Sequence, residues 1–148
     1  MGETSGDLPA PGIDLLDHPL IAERYFFPRR GRLAAPFQVD VEGARLACHL
    51  HEVRGGRGTL VHFHGNGEIV DDYLPDFVDL VAQMGWSCLL SEYRGYGGST
   101  GRPELGRMLD DVERVVGALD VAPSEMVFFG RSVGSIFALH AASRFREA

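Results

Sequence analysis

Two stretches near the start of the patterned chain alternate apolar and polar side chains. They are Phe37-Gln38-Val39-Asp40-Val41 and Arg45-Leu46-Ala47-Cys48-His49-Leu50-His51, with Glu42-Gly43 between them. A period of two belongs to strands with one wet face, so the pair predicts an antiparallel hairpin. After the Gly-rich turn at residues 54–58 the pattern changes. Thr59–His64, Ser87–Ser91 and Met126–Phe129 are short runs rich in apolar, aromatic and β-branched residues, and each predicts a further strand.

Helical spacing fills the gaps. From about Val70 to Met84 the apolar positions Tyr73, Leu74, Phe77, Val78, Val81 and Met84 follow 3,4 spacing, closed by Gly85, with Pro75 in the first turn. Pro103 opens a second helix with Leu105, Met108, Leu109, Val112, Val116 and Leu119 on one face, and the apolar segment after Gly134 has helix length. Strand and helix thus alternate three times after the hairpin. That order calls for an α/β fold: a mainly parallel sheet with helices on both faces. Residues 1–35, rich in Gly, Pro and acidic residues and then in aromatics, are expected to be an N-terminal extension draped over the domain edge, mobile at its extreme end. Residues 36–148 are expected to form the α/β unit.

Composition narrows the function. The 148 residues allow one domain at most and fall short of a usual α/β enzyme. The net charge of −7 and the lack of a basic stripe argue against nucleic acid as a partner. No apolar run reaches the ~18 residues of a membrane span, and the N-terminus lacks the basic and apolar regions of a signal peptide, so a cytoplasmic location is expected. Cys48 and Cys88 each fall inside an expected strand and read as buried small hydrophobes, not as a disulfide.

The chemistry concentrates at Gly130-Arg131-Ser132-Val133-Gly134, between the last strand and the last helix. Glycines two residues either side of Ser132 leave room for a sharp strand-to-helix turn, which would hold the hydroxyl in the open. This G-x-S-x-G pattern has the strand before it and the helix after it that a nucleophile elbow requires.

Three motifs together resemble the α/β-hydrolase superfamily, in its serine aminopeptidase-like and lipase-like branch. They are His64-Gly65-Asn66-Gly67, Tyr93-Arg94-Gly95-Tyr96-Gly97-Gly98-Ser99 and the elbow, and the resemblance covers roughly residues 36–148. It implies a hydrolase acting on ester or amide acyl bonds, with the third strand lying between the fourth and the fifth. Right-handed crossovers then put the two intervening helices on opposite faces, and the crevice between third and fifth strands becomes the ligand site. Ser132 is the implied nucleophile. The backbone N–H groups of Asn66 and Val133 are the implied oxyanion hole, with a small-molecule or peptide acyl substrate. Arg94 and Tyr96 read as structural, with Glu92 or a nearby carbonyl as partner of Arg94; the family usually has Asp where this chain has Glu92.

In this family an acid and then a histidine follow the nucleophile. After Ser132 this chain has only His140 and Glu147 of those types. His140 lies eight residues along the same helix, roughly 12 Å of axial rise away, and reads as a helix-face residue. The expectation is therefore a truncated hydrolase fold without its C-terminal strands and helices. The fifth strand would be an apolar sheet edge, Ile136, Phe137 and Leu139 would lose part of their cover, and the chain would self-associate or pair with a C-terminal remainder.

Other readings are weaker. A metal site could draw on His62 and His64, or on His49 and His51, but the implied strand order separates the pairs. Gly65-Asn66-Gly67 begins a dinucleotide fingerprint, yet Val70 stands where Gly or Ala is needed and there is no Walker lysine, so no cofactor is expected. The remaining alternative is a non-catalytic fragment or interaction module.

Overall fold

The structure is a computed structural model, and it describes residues 13–147. The extreme N-terminus, expected to be mobile, lies outside the described residues. The hairpin forms where the alternation puts it. β1 (Phe37–Val41) and β2 (Ala44–His51) pair antiparallel with Val41 opposite Ala44, and Glu42-Gly43 makes the turn. Gly43 has φ +73°, a left-handed conformation that costs glycine little.

The continuous runs become β3 (Thr59–Phe63), β4 (Ser87–Ser91) and β5 (Met126–Gly130). The sheet order is β1-β2-β4-β3-β5: β4 is antiparallel to β2, while β3 is parallel to both β4 and β5. The third strand therefore lies between the fourth and the fifth, as the resemblance implied.

The crossovers cover opposite faces. α3 (Asp76–Gln83) contributes Val78 and Val81 to a cluster with Cys88 and Leu90 of β4. α4 (Leu105–Gly117) and α5 (Gly134–Arg144) bury Met108, Val112, Val115, Phe137 and Ala141 against Leu46, Val61, Phe63 and Leu89. Cys48 and Cys88 belong to different clusters, and both are buried free thiols whose pKa burial pushes up to about 12.

Two expectations need correction. The region 70–84 is not one helix: a 3₁₀ turn at Val70–Tyr73 ends before Pro75, and the α-helix starts at Asp76. Proline has no N–H to donate to a preceding turn, so the apolar spacing continues through a break in the backbone. Phe137 does not lose its cover. It is fully buried, packed on Phe63 and Tyr93, whereas Ile136 and Leu139 on the same helix are exposed.

Before β1 the chain forms α1 (Ile13–Leu16) and α2 (Pro19–Tyr25). Asp17 accepts hydrogen bonds from the Gly106 and Arg107 amides and so caps α4 from outside. Phe26 is buried in the core.

Candidate functional site

β5 ends at Gly130, and Ser132 follows with φ +54°, the one non-glycine positive φ among the described residues. Such a conformation costs a residue with a Cβ about 1–2 kcal/mol, so its surroundings must impose it. They do so by close approach. A Cβ on Gly134 would overlap the carbonyl oxygens of Phe63 and His64, and one on Gly130 would overlap the Gly134 carbonyl. The Arg131 amide donates to the Phe63 carbonyl at 3.0 Å, which fastens the turn to the end of β3. Ser132 is exposed at the top of this turn, and α5 begins two residues later.

The neighbouring loop, His64 to Gly67, is anchored from below. His64 and Glu92 are each 1 % exposed and meet at 2.5 Å between Nε2 and Oε1. The Glu92 carboxylate also accepts the amides of Val70 and Tyr93, and the Tyr93 hydroxyl donates to the His64 carbonyl at 2.6 Å. A buried carboxylate is tolerated when its lone pairs are filled in this way. Glu92 therefore serves His64 and not Arg94. Arg94 instead makes a two-pronged contact with Asp111 at 2.6 and 2.7 Å, which corrects Glu92 as its expected partner, and it donates to a backbone carbonyl, the other partner expected, at Glu42.

Asn66 is held by its side chain. Its Oδ1 accepts from the Phe27 amide and the Tyr96 hydroxyl, and its Nδ2 donates to the Tyr25 carbonyl. The side chain is thus committed to the N-terminal segment, which leaves the backbone amide for other use. Among the described residues, the amides of Asn66 and Val133 have no hydrogen-bond acceptor.

Sequence reasoning missed a further link across the crevice. Glu68 accepts from the Gly65 amide at 2.6 Å and the Tyr73 hydroxyl at 2.7 Å, and it forms an ion pair with Arg131 of the elbow. The signal was present: an acid directly after one motif and a base inside the other lie at the ends of adjacent strands. The structure thus brings Ser132, Val133, Gly130, Gly134 and the Asn66 loop to the same end of β3 and β5.

No histidine is bonded to the Ser132 hydroxyl among the described residues. His140 lies on α5 facing α4, 3.1 Å from Glu113. Both ring nitrogens of His64 are engaged, by Glu92 and the Gly65 carbonyl. His62 lies on the α3 face among Tyr73, Phe77 and Phe129, and its Nε2 has no partner. Burial there, with His64 and Arg131 nearby, pushes its pKa down to about 4. The pairs His62/His64 and His49/His51 are separated by β4, and among the described residues no His, Cys, Asp or Glu cluster is arranged to hold a metal. No described helix is long and apolar enough to cross a membrane.

Known proteins share this fold. The serine aminopeptidase S33 family matches residues 55–148. The chain is 31 % identical over 80 residues to the uncharacterised protein YfhR of Escherichia coli, covering 51 % of this chain and 28 % of that protein. It is 29 % identical over 98 residues to alpha/beta hydrolase domain-containing protein 17C of Xenopus laevis, covering 64 % and 32 %. The chain thus spans about a third or less of these relatives. Among solved structures it resembles the Pyrococcus furiosus esterase Pf2001 (TM-score 0.66, 19 % identity, 82 % of this chain and 53 % of that one). It also resembles Est1E of Butyrivibrio proteoclasticus, solved with ferulic acid (TM-score 0.64, 20 % identity, 75 % and 48 %). A family match over well more than half of the residues, together with the β1-β2-β4-β3-β5 sheet, identifies the chain as a member of the serine aminopeptidase S33 family of α/β hydrolases.

Proposed function

We propose that this chain carries the nucleophile half of a serine hydrolase site acting on acyl bonds, with Ser132 as nucleophile and the amides of Asn66 and Val133 as oxyanion hole. One observation carries the reading: a strained, exposed serine stands beside two uncommitted backbone donors at the ends of adjacent parallel strands. In the reaction Ser132 Oγ bonds to the carbonyl carbon, and the carbonyl π electrons move onto oxygen, where the two amides would meet the charge. Collapse re-forms the carbonyl and breaks the bond to the alcohol, thiol or amine, which leaves with the proton given up by Ser132, and water then releases the acid from the acyl-serine by the same two steps. Preorganised donors of this kind are worth about 3–4 kcal/mol each. The N-terminus of α5 acts in the same direction. A relative in fold bound to ferulic acid supports a small acyl ligand.

The proton on Ser132 needs an acceptor, and His140 is engaged with Glu113. A serine without a base is a poor nucleophile. The chain alone should therefore react slowly with a fluorophosphonate, faster when imidazole is added as an external base, and not at all as Ser132→Ala. Labelling that survives Ser132→Ala overturns the proposal. Silence even with imidazole favours the second reading, a non-catalytic interaction module, which the unengaged hydroxyl also allows.

A further inference from the structure

The amide of Asn66 belongs to the peptide that joins it to Gly65, and that peptide is held at both ends. It is trans, so its N–H and C=O point in opposite directions. The Gly65 carbonyl accepts from Nδ1 of the buried His64 ring at 2.8 Å, which turns the Asn66 N–H the other way.

The second hold is the Asn66 side chain, and it reaches a segment that precedes the residues matched by the family, 55–148. In that segment Phe26 is buried in the core, and the peptide groups on either side of it face Asn66. The Phe27 amide donates to Oδ1 at 3.0 Å, and the Tyr25 carbonyl accepts from Nδ2. A carboxamide carries an acceptor and a donor side by side, so it meets this stretch of backbone much as a neighbouring strand would. Tyr96, whose ring is fully buried, completes the arrangement: its hydroxyl donates to Asn66 Oδ1 at 2.9 Å and accepts from the Phe27 amide at 3.1 Å.

The segment is itself tied down. The Gly97 amide donates to the Arg29 carbonyl at 2.8 Å, and the Arg30 guanidinium donates to the Ser99 carbonyl at 3.1 Å. Arg29 reaches back to the oxyanion loop, donating to the Gly67 carbonyl at 3.1 Å and pairing with Asp72 at 2.6 Å.

We propose that the segment Tyr25–Arg30 is a strap that positions the oxyanion loop, with the Asn66 carboxamide and the Tyr96 hydroxyl as the positioning groups through which it aims the Asn66 amide. The proposal rests on the hydrolase reading of Ser132. A hole donor that is misaimed gives up much of its catalytic value, so the strap is read in the rate.

The test is the saturation kinetics of fluorophosphonate labelling at fixed imidazole. Ser132 Oγ bonds to phosphorus, fluoride leaves, imidazole takes the serine proton, and the phosphonyl oxygen occupies the hole. Asn66→Ala keeps the backbone amide but cuts it from the strap, and should lower the maximal labelling rate roughly tenfold. Tyr96→Phe keeps the buried ring and should lower it roughly threefold. Both should retain the wild-type circular dichroism spectrum and the probe concentration that gives half the maximal rate, because the hole acts on charge that develops in the reaction and not on bound probe. In the double variant the Tyr96 change should add nothing, since Tyr96 acts through Asn66. Wild-type maximal rates in the folded single variants overturn the strap and leave the hydrolase reading standing. So does a change confined to the half-maximal probe concentration, or additive losses in the double variant. A wild-type chain that is not labelled at Ser132 overturns both.

Discussion

β3 and β5 lie side by side in the same direction, and each is a five-residue strand of mostly apolar side chains. Their fates differ. β3 has sheet on both sides, and Val61, His62 and Phe63 are buried; among the described residues β5 has sheet on one side only, and Val127 and Phe129 are 43 % and 48 % exposed. The difference is not in the strands. An apolar run declares a need for cover, and topology decides whether this chain supplies it. α5 covers β5 on one face through Phe137, Ala138 and Ala141, while His62 and Phe77 only half cover the other face and, among the described residues, no strand pairs with the outer edge.

The sharpest way to break this comparison is to separate the two strands at their shared end. Gly134 sits where a Cβ would overlap the Phe63 and His64 carbonyls, and those atoms are backbone that cannot swing aside. Gly134→Val should destabilise the chain by about 4 kcal/mol or more, among the largest single-residue effects. Urea unfolding followed by circular dichroism would measure it. A loss under about 1 kcal/mol would mean that the elbow is not clamped to β3.

Next comes the cover that α5 does supply. Phe137 is completely enclosed by Phe63, Tyr93 and their neighbours. Phe137→Ala should cost about 3–5 kcal/mol, the usual loss for deleting a buried aromatic ring. The urea midpoint should fall with the slope unchanged.

Much of this architecture could be read from residue order. The strands follow from alternation or from short apolar runs, because a pleated chain has a period of two and a doubly covered strand has none. What failed were properties that depend on partners distant in sequence. Arg94 finds Asp111 seventeen residues away on α4, and the hint was a lone acid among Met108, Val112 and Val115 on an apolar helix face. Phe137 looked undercovered because its enclosure comes from Phe63 and Tyr93, which periodicity within α5 does not reveal. The elbow was legible because its glycines and serine lie within five consecutive residues. The grip on Asn66 was not, since it comes from Tyr25, Phe27 and Tyr96.

A smaller effect lies at the seam itself. His62 of β3 stacks under Phe129 of β5, neutral and without a partner for Nε2. Its folded pKa is pushed down to about 4, while an unfolded histidine titrates near 6.5. Between those values the unfolded chain takes up a proton that the folded chain refuses. Stability should therefore fall as the pH drops from about 6.5 to 4, by on the order of 2 kcal/mol from this residue. His62→Phe keeps a ring in the stack and removes the titration, so its stability should change less over that range. Equal acid slopes for the two proteins in urea melts at several pH values would contradict this account.

The smallest effect is the one that most sharpens the contrast. Leu139 is two residues from Phe137 on the same helix yet 72 % exposed. Replacing it by Gln alters little that water does not already touch, so the cost should lie within about 0.5 kcal/mol. A loss of 2 kcal/mol or more in urea melts would mean that Leu139 is covered and that the two faces of α5 do not differ in this way.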